Sequence, residues 1–332
     1  MTRYFLGVDI GGTKTHALIA DQDGRALGFA AAGAGSHVAV GYEGMRRVLH
    51  DVVSRALRRA GLDRRQLAGA GFGISAYDWP AQDEQVLPAL QSLQLPAPLA
   101  WVNDTLIGLI AGASRGWGIA IVSGTSVNCR GRDCRGREGK VIAGSCWWGE
   151  HAGGIELVNR AQQALAREWT RRGPHTALSD ALIAWAGASD LDDLIEGLCM
   201  DRYELAADAA PVVFRVANEG DPVAQEIVRW AGRELGSLVL GVTRQLDFAA
   251  LDFEVVMIGS MFKGSPVIEQ EMAAVIHGVA PGARLVRLHV PPVIGGVLLG
   301  MEQVGVALSA PRQRLMATVD RVFADSTAGL EQ

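Results

Sequence analysis

The chain has 332 residues, long enough for two lobes of ordinary domain size, and 49% of them are hydrophobic. A formal net charge of -5 argues against a nucleic-acid or anionic-membrane partner. No uncharged apolar run reaches the roughly 18–20 residues of a membrane span, and Asp9 and Lys14 break what could pass for a leader, so a cytoplasmic protein is expected.

In chain order, three short strands open the sequence over 4–10, 15–21 and 25–33, with Asp23-Gly24 turning between the last two. Val48, Val52, Val53, Ala56 and Leu57 share one helical face and predict a helix over 41–61. A strand rich in small residues follows over 67–74, then a helix over 81–93, a strand over 98–102 and an apolar helix over 105–113. The pattern then restarts. A strand over 117–122 meets a turn at Ser123-Gly124-Thr125-Ser126, a second strand covers 127–131, and a basic turn leads into a strand over 141–144. Helices are expected over 155–172, 178–187 and 191–197, followed by one long helical stretch over 208–246. Strands over 253–258 and 284–289 alternate with helices over 266–279 and 295–308, and an amphipathic helix over 312–324 ends the pattern. Three strands and a glycine–hydroxyl turn thus open each of two halves, a structural duplication without a residue-level repeat. Two such halves facing one another predict a ligand cleft.

The first turn carries chemistry. The strand over 4–10 leads through Asp9 into Gly11-Gly12-Thr13-Lys14-Thr15 and straight into a second strand. Glycines there let backbone N–H groups approach an anion, the hydroxyls and Lys14 add donors, and Asp9 suits a hydrated Mg²⁺. Walker A and the dinucleotide fingerprint both need a helix next, so neither applies. The plainer alternative is an ordinary Gly-Gly hairpin turn. Cys129, Cys134, Cys146 and Cys199 are too few and too irregular for a disulfide scaffold. The first three fall in one stretch without metal-ligand spacing, so they read as buried or hairpin thiols.

Four further segments line up behind the first turn: Val102-Asn103-Asp104-Thr105, the 122–130 stretch around Gly124-Thr125, Val255-Val256-Met257-Ile258-Gly259-Ser260, and Pro291-Pro292 running into Gly295-Gly296. Together with Asp9 to Thr15 they resemble the N-acetylglucosamine kinase branch of the BadF/BadG/BcrA/BcrD-type ATPase family, across nearly the whole chain. The resemblance implies an α/β protein with the duplicated ribonuclease H-like fold of actin-like ATPases, two lobes around a central cleft. Residues 1–113 plus 309–332 would form the N-terminal lobe, and 114–308 the C-terminal lobe with a dimerisation surface. It implies ATP held by Gly11, Gly12, Thr13 and Lys14, by Gly124 and Thr125, and by an adenosine loop at Gly259 and Ser260. Asp9 would position Mg²⁺ through water. Asp104 would be the catalytic carboxylate that takes the proton from a sugar hydroxyl, a role that a strand-end carboxylate suits on chemical grounds alone. Asn103-Asp104 also reads as a helix N-cap, and the two roles are compatible.

The sugar side departs from the family pattern. His37 stands where an asparagine is usual, Ser126 and Val127 replace a glycine and a serine before Asn128, and Glu150 replaces an aspartate. Ser75 and Asp78 are further candidates for hydroxyl contacts, and Trp147 and Trp148 either stack on a pyranose or fill an interface. Each unpaired buried hydrogen bond costs about 1–3 kcal/mol, so these changes can redirect the sugar preference. The function expected is ATP-dependent phosphorylation of a primary hydroxyl of an amino sugar, N-acetylglucosamine to its 6-phosphate in first place. Glucosamine or another amino sugar is the alternative. A different class, an activator ATPase driving a partner protein, would need a cysteine placement that these four residues do not show. The partners expected are a small-molecule sugar and a second copy of the chain, with no nucleic acid and no membrane.

Overall fold

The computed structural model describes residues 2–142 and 148–327 and comprises two compact units. The first takes the chain up to Gly118, Arg132–Gly136, and the chain from Val286 onward; the second takes Ile119–Gly131 and Arg137–Leu285.

In the first unit, β1 (Tyr4–Ile10), β2 (Lys14–Asp21), β3 (Ala26–Gly33), β4 (Leu67–Ile74) and β5 (Leu99–Asn103) form one sheet in the order β3-β2-β1-β4-β5. The β1–β2 and β2–β3 pairs are antiparallel, and β4 and β5 add in parallel to β1. Alternation along β1 sends Leu6, Val8 and Ile10 to one face, where they pack with Met45, Leu49 and Val52 of α1 (His37–Ala60) and with Val86 and Leu90 of α2 (Asp83–Gln91). Phe5 faces the other way, onto Ile107 and Ile110 of α3 (Asp104–Gly112).

In the second unit, β6 (Gly118–Ser123), β7 (Val127–Arg132), β8 (Glu138–Val141), β9 (Phe253–Ile258) and β10 (Ala283–Arg287) form a sheet in the order β10-β9-β6-β7-β8. Read from β8, this is the order of the first sheet, so the duplicated ribonuclease H-like fold implied by the family resemblance is present. The helices are α4 (Gly154–Trp169), α5 (Ala177–Ala186), α6 (Leu191–Cys199), α7 (Ala210–Asn218), α8 (Pro222–Gln245) and α9 (Pro266–His277).

Three expectations change. The helix expected over 41–61 begins at His37, capped by Ser36, with a non-helical residue at Gly41. The long helix expected over 208–246 is two helices, because Gly220 adopts φ +107° and Asp221 caps α8 by accepting from the Ala224 N–H. The strand expected over 141–144 is β8, placed earlier, and residues 143–147 lie outside the described residues.

The division of the chain also falls differently. The helix α10 (Val293–Glu302), read with the C-terminal lobe, packs on β1 and β4 of the first unit, joined there by the amphipathic α11 (Ser309–Thr327). Strand glycines make this possible. A Cβ on Gly7 would come within 2.3 Å of the Val297 backbone nitrogen, and one on Gly71 within 2.2 Å of the Gly296 carbonyl. The strand rich in small residues is therefore a helix-docking surface.

Candidate active site

The first unit gathers its candidates at the carboxyl ends of β1, β4 and β5. The parallel register pairs Asp9 with Gly73 and Ile74 with Asn103, so Asp9, Ser75 and Asn103-Asp104 emerge on one edge of the sheet. The Ser75 N–H donates to the Ile10 carbonyl at 2.9 Å. After β1 the chain turns tightly. The Gly11 N–H donates to the Lys14 carbonyl at 3.0 Å, and the Gly11 carbonyl accepts from Gly35 and Ser36 at 3.0 and 3.1 Å. Gly12, Thr13 and Lys14 stand exposed on this turn, open to an anion.

Burial and the nearby charge of Asp104 push the Asp9 carboxyl up to about 7, with Lys14 opposing. Two neighbouring carboxylates fit a hard cation, and Mg²⁺ keeps several waters while taking one or two carboxylates plus substrate phosphates. Among the described residues no group of three or more metal-ligating side chains occurs, so an all-protein cage is not what these residues offer.

Asn103 caps α3: its Oδ1 accepts from the Thr105 N–H at 3.0 Å, while its Nδ2 donates to the Tyr77 carbonyl at 3.2 Å. Asp104 Oδ1 also accepts from the Thr105 N–H, at 2.9 Å. Capping thus holds one Asp104 oxygen while the residue stays on the edge it shares with Asp9. His37 starts α1, stacked on Tyr42 with centroids 4.8 Å apart. Burial holds its imidazole below the usual range, against the pull of Asp78.

The second unit carries the other loops. Gly124, Thr125 and Ser260 line one cavity of about 840 Å³, within the range of about 300–1,000 Å³ that small-molecule sites occupy. The start of α4 pins the 123–126 turn, with the Gly154 N–H donating to the Gly124 carbonyl at 2.7 Å and the Ile155 N–H to that of Thr125 at 3.2 Å. Gly259, at φ +116°, presses against the same turn, and a Cβ there would lie 2.1 Å from the Ser123 carbonyl. Two loops far apart in sequence are therefore in contact. The remaining wall includes Ala207, Phe214 and Lys263, which sequence reasoning missed.

Of the sugar-side candidates, Ser126 is exposed, Asn128 is half-buried, and the Val127 side chain is packed inside the unit, leaving only its backbone for a ligand. Glu150 is buried. Its charge reaches the Cys129 thiol, which burial pushes far up, against the influence of Arg130. Cys134 and Trp148 are exposed, while Cys146 and Trp147 lie outside the described residues.

Residues 6–300 match the BadF/BadG/BcrA/BcrD ATPase family. An N-acetylmuramic acid/N-acetylglucosamine kinase of Clostridium acetobutylicum is 23% identical over 91% of this chain and 99% of its own length. The glucosamine kinase GspK of Vibrio cholerae is 24% identical over 72% of this chain and 80% of its own. Among solved structures, a Chromobacterium violaceum protein proposed to be an N-acetylglucosamine kinase superposes with a TM-score of 0.64 at 22% identity, covering 90% of this chain and 98% of that one. The last likeness speaks for the fold.

Proposed function

The chain belongs to the BadF/BadG/BcrA/BcrD ATPase family, and from that premise we propose that it is an ATP-dependent kinase acting on a primary hydroxyl of an amino sugar, N-acetylglucosamine in first place. The observation that carries the nucleotide half is the cavity lined jointly by Gly124, Thr125 and Ser260, three residues that the family resemblance assigns to ATP. The catalytic half rests on Asp104 standing on the same strand edge as Asp9. Phosphoryl transfer needs positioning and charge neutralisation, which Lys14, the exposed Gly12 and Thr13 of the first turn and a hydrated Mg²⁺ at Asp9 would supply. Asp104 would accept the proton of the attacking hydroxyl; His37, Ser75 and Asp78 in the first unit, and Ser126, the Val127 backbone, Asn128 and Glu150 in the second, are the candidate sugar contacts. A free amino sugar is the second reading, favoured by the buried carboxylate of Glu150, which can pair with an ammonium.

We read the chain as a cytoplasmic homodimer that uses the 114–308 region for self-association, which light scattering on the purified protein tests. Among the described residues no helix is long and apolar enough to cross a membrane. The activity is tested by ADP release from Mg·ATP across N-acetylglucosamine, N-acetylmuramic acid, glucosamine, glucose and a sugar-free control. An N-acetylated amino sugar raising turnover well above the control supports the reading, and a flat response across the panel sinks it.

A further inference from the structure

One side chain organises the segment that follows β4 and carries Asp78. Gln82 Oε1 accepts from the N–H groups of Asp78 at 2.7 Å and Trp79 at 2.8 Å. An amide oxygen held by two backbone donors identifies the other end of the amide as the NH₂ group. That nitrogen donates to the Ala76 carbonyl at 2.8 Å and meets His37 Nε2 at 3.2 Å. Ala76 sits at φ +62°, a left-handed conformation uncommon for a residue with a Cβ, and Gln82 holds its carbonyl there.

Because Gln82 donates, His37 Nε2 accepts. An imidazole whose Nε2 accepts carries its proton on Nδ1 and is neutral. Burial and the Tyr42 stack keep the ring in that form and plane. His37 Nδ1 is buried and, among the described residues, has no hydrogen-bond partner. A buried donor without a partner is a standing cost that an acceptor on a ligand removes. Contacts run on toward the candidate base: Asn103 Nδ2 donates to Asp78 Oδ1 at 3.4 Å, and Asn103 precedes Asp104.

We propose that Gln82 is a positioning residue that fixes His37 as a neutral Nδ1–H donor, and that this donor selects an N-acylated amino sugar over one with a free ammonium group. An acyl carbonyl accepts from Nδ1–H, whereas an ammonium has only donors to offer and is set against another donor. The inference rests on the amino-sugar kinase reading above and narrows its substrate class.

Long-range proton–nitrogen NMR on histidine-labelled protein reads the tautomer with no substrate present. The His37 signal, identified by its loss in His37→Asn, is expected in the Nδ1–H pattern. In Gln82→Glu the carboxylate still accepts from Asp78 and Trp79 but presents an acceptor to His37, so the proton is expected on Nε2. Kinetically, Gln82→Glu is expected to raise KM for N-acetylglucosamine about tenfold relative to glucosamine, with kcat little changed. That effect is expected to vanish in the His37→Asn background. Should Gln82→Glu fail to fold, His37→Phe, which keeps the ring but has no donor, carries the test, with the KM ratio moving about tenfold toward glucosamine. An Nε2–H pattern in the natural protein, or an unchanged KM ratio in the variants, overturns the proposal. Absence of turnover with every sugar overturns the kinase reading and the substrate half with it. The tautomer measurement uses no substrate, so it separates that failure from a failure of the Gln82–His37 lock.

Discussion

The charge of Asp104 falls on Asp9, adding to the burial that lifts the Asp9 carboxyl to about 7. A cation between the first turn and the nucleotide phosphates needs Asp9 ionised. The ionised form predominates above that pH and is lost as pH falls through it. Mg·ATP affinity is therefore expected to weaken by up to tenfold per unit as the solution is taken from about pH 8 to about pH 6. Asp9→Asn should bind weakly and without this dependence. Calorimetric titration of both proteins over that range checks it, and a flat profile for the natural protein contradicts it.

His16 gives a second pH signature, in stability. It packs against Phe29 and Phe323, at centroid distances of 5.3 and 6.0 Å. Burial first and Lys14 second hold its pKa down at about 4, from 6.5. Between those values the unfolded chain takes up a proton that the folded chain refuses, so stability falls as pH drops from 6.5 to about 4. Denaturant melts of His16→Leu are expected to lose this part of the slope in that window. An identical slope in both proteins contradicts the assignment.

The cavity in the second unit makes a steric prediction. Ala207→Trp places an indole against the walls formed by Gly124, Phe214 and Ser260. Nucleotide affinity should fall at least tenfold with little change in melting temperature, since Ala207 is only half-buried. Tight nucleotide binding by the variant would place the base elsewhere.

Gly259→Ala attacks the same site from behind. Its Cβ would meet the Ser123 carbonyl at 2.1 Å, on a backbone at φ +116°. Strain of this kind costs of order 1–3 kcal/mol. The variant is expected to melt several degrees lower and to lose nucleotide affinity, because the loop it displaces is the one carrying Gly124 and Thr125. A variant with unchanged melting and binding contradicts this coupling.

These features were unevenly legible in the sequence. The strands followed from alternation and turn residues, as did the two glycine loops, because each is a local pattern. The placement of α10 was not legible: the sequence predicts a helix over 295–308, but its docking over Gly7 and Gly71 is a complementarity that joins segments far apart in the chain. The cavity wall from Ala207 to Phe214 was not legible because its small and apolar residues read only as a helix and its approach, with nothing to mark a ligand wall, and the helix break at Gly220 rests on one positive φ and one cap at Asp221. Gln82 carried no signal at all. Its role lies in hydrogen bonds to the backbone of its own loop and to one distant imidazole, and glutamine has no motif for that.

The most direct test of the whole account is transfer itself, measured with Asp104→Asn beside the natural protein. Both are incubated with Mg·ATP and N-acetylglucosamine, the product is identified by phosphorus NMR, and nucleotide affinity is determined in parallel. The natural protein is expected to place phosphate on the primary hydroxyl, and Asp104→Asn to bind nucleotide equally well while turning over about 10²–10⁴-fold more slowly. Undiminished transfer by Asp104→Asn, or none by the natural protein, contradicts the account.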